Sequence, residues 1–165
     1  MKVLEIIGDN ASGRYRHERT ACRGIVLRED RILLSHEEKT GVYMTPGGGL
    51  EAGEDVRSAC AREIAEETGV LVEPSECVLR IEEYYGDWKY VNLYFFGKTV
   101  GRTEMKPTVH EIEVGMRPQW VPLDEAFRIF SGYGSGADMD EMTRGLYQRE
   151  YTALKELLKK GGAEA

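Results

Sequence analysis

Two runs dense in aromatic and β-branched residues, CVLRIEEYYG (77–86) and WKYVNLYFFGKTV (88–100), meet at a Gly-Asp turn. Residues of those types fit a pleated, half-buried surface, and a short glycine-containing turn between two such runs reads as a long antiparallel hairpin. A hairpin this apolar commits the chain to a sheet and obliges other elements to cover it.

The rest of the sequence supplies them. Residues 2–7 read as a short edge strand followed by the turn cluster GDNASG. ACRGIVL and RILLS, parted by a charged turn, read as a second hairpin. VYMT leads into TPGGGLEAGED, whose glycines and Pro46 predict a structured loop in place of a regular element. From Asp55 to Thr68 the pattern is helical, with Gly69 set to cap its end. Residues 101–117 read as a polar, irregular connection, QWVPL as a short strand and LDEAFRIF as a short helix with Asp124 near its start. SGYGSGADMD is expected to be a flexible loop. From about Asp140 to Lys160 an amphipathic helix carries the stripe Leu146, Tyr147, Tyr151, Leu154, Leu157 and Leu158. The fold class expected is α/β (α+β), a mixed β-sheet with helices on its faces. It forms a single domain over residues 1–160 with a frayed tail at 161–165.

Charge narrows the function. The formal net charge of −7 opposes a grip on long nucleic acid through its phosphates, though bound cations can reverse the field locally for a small phosphorylated ligand. No apolar run has the length of a membrane span, and the N-terminus lacks the pattern of a secretory signal. Cys22, Cys60 and Cys77 are odd in number and scattered, which fits a reducing, cytoplasmic setting better than a disulfide framework or a structural zinc site.

The helix AREIAEETGV poses the chemical question. Glu63, Glu66 and Glu67 are spaced so that like charges crowd, which destabilises an isolated helix. At 100° per residue, Glu63 and Glu67 fall within about 20° of Val56, on the stripe shared with Ala59 and Cys60, and Glu66 sits about 80° away at its margin. A solvated charge run would lie opposite that stripe. These acids point instead toward the body of the protein. Either an ion-pair network with Arg62 balances them, or a hard divalent cation does, since Mg²⁺ and Mn²⁺ prefer oxygen ligands. The loop just before the helix bears on the choice. Gly47, Gly48 and Gly49 let a ligand approach the main chain, and cations beside exposed amides are what a diphosphate needs.

Residues 48–70, GGLEAGEDVRSACAREIAEETGV, resemble the Nudix box. Gly48, Glu54, Arg62, Glu63, Ile64, Glu66, Glu67, Gly69 and Val70 fill all nine fixed positions. The preceding PGG and the later WVPLDEA (120–126) are similar to Nudix domains too, so the resemblance spans roughly residues 18–130. It implies an α/β/α sandwich around a mixed sheet. It also implies hydrolysis of a nucleoside diphosphate linked to another moiety (a nucleoside triphosphate, dinucleoside polyphosphate or nucleotide sugar), with Mg²⁺ or Mn²⁺ as cofactor. Glu63, Glu66 and Glu67 are then the implied metal ligands, Gly48 adding its carbonyl, and one acid deprotonates the attacking water. Glu54 and Arg62 are expected to form a structural salt bridge. Many members add a carboxylate from a later loop; Glu111 and Glu113 are the candidates, with Glu113 preferred.

Arg23, a cation inside an apolar strand, is expected to bind substrate phosphate together with the main chain at Gly47 and Gly48. Arg14, Arg16, His17 and Arg19 form a basic patch that either guides an anion or is a solvated turn, and His110 reads as a surface residue. Tyr84 and Tyr85 read as sheet residues, although some relatives cleaving dinucleoside polyphosphates carry a tyrosine near there. Tyr133 belongs to a loop that could close over the site. The partner expected is a small nucleotide-type substrate, with no membrane, and homodimer formation stays open. The alternative function is a nucleotide-binding or sensing module without turnover, which the full set of box carboxylates argues against. Hydrolysis at an RNA 5′ end is a third reading that the −7 charge does not encourage.

Overall fold

The structure is a computed structural model that describes residues 1–135 and 138–158. The tail expected at 161–165 lies outside the described residues, as do the last two positions, 159 and 160, of the helix expected to reach Lys160.

The predicted hairpin is the spine. β7 (Val70–Tyr85) and β8 (Trp88–Arg102) pair antiparallel along their length, and Gly86 in the turn has φ 52°, a conformation that favours glycine. β1 (Lys2–Ile7) adds parallel to β7 at the sheet edge, and β2 (His17–Ile25) adds parallel to β8. β6 (Gly47–Gly49) closes the other edge, antiparallel to β2, giving a five-stranded mixed sheet in the order β1-β7-β8-β2-β6. A second, antiparallel sheet joins β3 (Leu27–Arg28), β4 (Arg31–Glu37), β5 (Tyr43–Met44) and β9 (Met116–Pro122).

Three expectations change here. ACRGIVL does not pair with RILLS as one strand. Its first part runs in the main sheet, and just its end meets RILLS: Val26 accepts the Leu33 N–H, and Leu27 and Arg28 pair with Ile32 and Arg31 around Glu29 at φ 53°. The glycine run expected to be a loop is a strand, because without side chains it can press against β2: a Cβ on Gly47 would stand 2.8 Å from the Arg23 Cα. The connection at 101–117 contains a helix, α2 (Val109–Val114), closed at its start by a capping box between Thr108 and Glu111.

Strand alternation builds the layers. Val91, Leu93 and Phe95 of β8 join Ala59, Cys60 and Ile64 in one core, beneath α1 (Val56–Thr68). Tyr94, Ile81 and Leu79 join Phe130, Tyr147 and Leu154 in the other, beneath α3 (Leu123–Ser131) and α4 (Glu141–Leu158). Helices thus cover both faces, and the fold is an α/β/α sandwich. Tyr133 does not stand over a cleft. It sits in a 3₁₀ turn (Gly132–Gly134) and packs on Tyr151 with ring centroids 5.8 Å apart.

Candidate active site

Strand β6 delivers the chain into α1 after six residues, so the glycines and the helix acids are fixed relative to one another. Asp55 caps the helix by accepting the Ser58 N–H at 3.1 Å. Gly69 ends it at φ 73°, where a Cβ would lie 2.8 Å from the Thr103 carbonyl oxygen.

Glu67 lies deepest. It is 5% exposed and accepts the Gly47 N–H at 3.1 Å. Burial pushes its carboxyl up to about 7, against the opposing pull of that N–H and of the Arg23 charge. Ser35 Oγ is the one buried side-chain polar atom among the described residues without a hydrogen-bond partner. It also favours the Glu67 carboxylate, although it stands outside ordinary hydrogen-bonding geometry. Glu63, its side chain 21% exposed, lies beneath Gly48, where a Cβ would come within 2.6 Å of the Glu63 Cδ. Burial raises the Glu63 pKa and Arg62 partly offsets the rise. Glu66 is more open, with 39% of its side chain exposed.

Arg62 stands among these acids. It forks onto Glu54 at 2.7 and 2.9 Å, donates to the Gly49 carbonyl at 3.3 Å, and reaches Glu63 at 2.8 Å and Glu66 at 3.4 Å. The bidentate contact holds the Glu54 carboxyl below its usual range and ties the β6–α1 loop to the helix. Among the described residues, no three carboxylates, thiols or imidazoles stand together as a ready-made ion cage. Yet one guanidinium serves Glu54, Glu63 and Glu66 together, so negative charge remains in excess with Glu67 beneath it. The donors are all carboxylate oxygens, the hard set suited to Mg²⁺ or Mn²⁺, and Gly48, lacking a Cβ, lets the Glu63 carboxylate lie directly against the main chain. The residues fit divalent cations once Glu63 and Glu66 turn from their shared Nη1.

Of the two later acids, Glu111 is the one whose charge raises the pKa of both Glu63 and Glu67. Glu113, preferred on sequence, is exposed on α2. Two residues on a helix differ by about 200° in direction, so the two side chains cannot share a target.

Arg23 is half-buried on the α4 side of β2. It donates to Asn92 Oδ1 at 2.8 Å and to the Thr45 carbonyl at 3.2 Å, and its positive charge acts on Glu67. Around it lies a buried polar cluster that the sequence reading missed. Thr45 donates to Glu150 at 2.8 and 2.9 Å, Arg149 pairs with Glu150 at 2.8 Å, and Asn92 donates to Glu83 at 2.9 Å. The available signal was an Asn or Glu interrupting apolar alternation in YVNLYFF and RIEEYY. Arg14, Arg16, His17 and Arg19 are exposed, with the His17 ring tilted against Trp88 at 4.8 Å and Arg19 beside Gly49. His110 is exposed on α2. Tyr84 donates to Glu82 at 3.0 Å within the sheet, whereas Tyr85 lines a cavity of ≈ 700 Å³ on the α4 side.

A family model described as NUDIX domain matches residues 17–140. The chain is 40% identical over 60 residues to an ADP-ribose pyrophosphatase of Methanocaldococcus jannaschii, covering 34% of this chain and 36% of that protein. It is 30% identical over 105 residues to the mouse (Mus musculus) oxidized purine nucleoside triphosphate hydrolase, covering 61% of this chain and 64% of that one. The matched stretch thus spans about a third of the archaeal relative's length and under two thirds of the mouse one's. Among solved structures, a NUDIX hydrolase from Nitrosomonas europaea superimposes with a TM-score of 0.59 at 22% identity, covering 82% of this chain and 89% of that one, a likeness of fold. Box, sandwich and family model agree, and the chain belongs to the Nudix family.

Proposed function

We propose that the chain hydrolyses a pyrophosphate bond in a nucleoside diphosphate joined to a second group, with Mg²⁺ or Mn²⁺ held by Glu63, Glu66 and Glu67 and the Gly48 carbonyl. The observation that carries the reading is the pairing of glycine backbone with buried acid. Glu67, almost fully buried, accepts the Gly47 N–H, and Glu63 occupies the space a Cβ at position 48 would need. The missing side chain at position 48 thus sets carboxylate oxygens directly against the main chain, which is where a cation-bound diphosphate would approach. Cations in such a site neutralise the diphosphate and lower the pKa of a water molecule.

The chain's own groups have separate tasks. Glu54 and Arg62 hold the loop against the helix. Arg23, fixed by Asn92 and Thr45, supplies positive charge for a phosphate oxygen. The water proton goes to a carboxylate of the same group. Glu111 is our candidate, supported by its charge reaching both Glu63 and Glu67. Nucleoside triphosphates, dinucleoside polyphosphates and nucleotide sugars form the substrate panel. Phosphate and nucleotide release is measured with Mg²⁺, with Mn²⁺ and after chelation. Release that stops with chelator supports the proposal. Tight binding with no turnover on any compound would establish the sensing module in its place.

A further inference from the structure

The ≈ 700 Å³ cavity on the α4 face of the five-stranded sheet is separate from the acids of α1 and is used by nothing described above. Its volume is that of a small-molecule site, for which about 300–1,000 Å³ is usual. Its walls are fixed. The Tyr85 ring passes between Gly8 and Gly145; a Cβ on Gly8 would collide with the ring, and one on Gly145 would stand 2.7 Å from the hydroxyl. Tyr90 adjoins it, with centroids 6.4 Å apart and planes at 55°, so the two rings make neighbouring walls.

The floor is charged and buried. Glu83 is 3% exposed and Arg149 7%. Asn92 Nδ2 at 2.9 Å and Arg149 Nη1 at 3.5 Å both meet Glu83 Oε2, and no hydrogen bond to Oε1 is found among the described residues. Arg149 spends Nε on the Tyr94 hydroxyl at 3.2 Å and Nη2 on Glu150 at 2.8 Å, which leaves N–H groups over from its five. Asn92 cannot be turned round, because Oδ1 takes Arg23 while Nδ2 serves Glu83. The floor of the cavity is therefore linked to Arg23, and β7 stands three strand spacings from β6, about 14 Å. Asp9 and Glu141 line the cavity as well, opposite Arg144, so three carboxylates face two guanidiniums and the lining suits a group rich in N–H donors that also carries an acceptor.

We infer that this cavity receives the base of a guanine nucleotide, the Glu83 carboxylate accepting from the ring N1–H and the 2-amino group and Arg149 donating to the O6 carbonyl, with the phosphates directed past Arg23. An adenine in that position would turn a ring-nitrogen lone pair toward Glu83 and an amino group toward Arg149. Both contacts would then be repulsive. The inference rests on the proposed function for the path of the phosphates, but not for recognition of the base.

The test is calorimetric titration of the intact chain with GMP, IMP and AMP in chelator, where turnover is not required. GMP should bind at least about tenfold more tightly than AMP, a good bidentate base contact discriminating to that degree or more. IMP, which lacks the 2-amino group, should fall between them. Glu83→Gln, checked for folding by its melting curve, should bring GMP and AMP to within about twofold of each other. Equal binding of GMP and AMP, unchanged preference in a folded Glu83→Gln, or no binding of any of the three would overturn the inference. If Glu83→Gln does not fold, the wild-type series decides. A chain that hydrolyses substrates but binds GMP and AMP equally would refute the base assignment alone. One that prefers GMP but turns over nothing would refute the hydrolase reading alone.

Discussion

Glu67 is penalised by burial when charged, and its carboxyl sits at about 7 even with the Gly47 N–H and Arg23 favouring the anion. A glutamine of the same shape would carry no such penalty. Glu67→Gln should therefore melt no lower than the wild type in chelator, while turnover falls at least about 100-fold, since even groups that only support a metal ligand are worth 10–100-fold. A variant melting several degrees lower with near-normal turnover would make Glu67 a structural residue. Glu111 and Glu113 give a second test at this scale. Glu111→Gln should lower kcat by roughly 100-fold, the usual contribution of a general base, and Glu113→Gln should leave it within about twofold. The opposite ranking would restore the choice made from sequence. Spacing within HEIEVG does not separate the two, because helical phase is not legible until the Thr108 capping box shows where the helix starts.

At the scale of elements, what could be read from the sequence was what local pattern determines. The β7–β8 hairpin, α1 with its Asp55 and Gly69 caps, and the apolar stripe of α4 all depend on alternation, periodicity and end residues within one segment. Pairing across the sheet does not. Gly47–Gly49 becomes a strand only because β2 lies beside it, and β2 leaves RILLS because β8 offers a longer partner. Asp140, just before α4, accepts the Thr143 N–H at 2.7 Å, and that hydrogen bond holds its carboxyl below the usual range. A depressed pKa gives stability that is complete above the unfolded value, about 3.9, and is lost as pH falls through the lower folded value. Asp140→Ala should thus lower Tm at neutral pH, with the gap to wild type closing below about pH 4. A gap that persisted unchanged into acid would show that the carboxylate is not the capping group.

The whole molecule sets its two functional groups on opposite faces of one sheet. α1 brings the acids to the β6 edge, while α4 covers the other face and buries Arg149 and Glu150 against Thr45 and Tyr94. No single segment of sequence contains that cluster. Its members come from four elements and the short link at Thr45, and each reads alone as an ordinary polar residue. Arg23 touches both groups, electrostatically to Glu67 and by hydrogen bond through Asn92 to Glu83. The excess negative charge on α1 then becomes a property of the folded chain as a whole. The unfolded chain scatters Glu63, Glu66, Glu67 and Glu111 and binds a dication weakly, so any ion taken by the native cluster stabilises the fold by linkage. At a hundredfold excess over Kd the gain is about 2.7 kcal/mol, and for a domain of this size that corresponds to roughly 5–10 °C in Tm. Manganese added to chelated protein should raise the wild-type Tm by that amount, and the increase should shrink in Glu67→Gln because a ligand is lost. A wild-type Tm indifferent to manganese and magnesium would mean that Arg62 alone balances the acids, and that the contact of Glu63 with Gly48 serves packing.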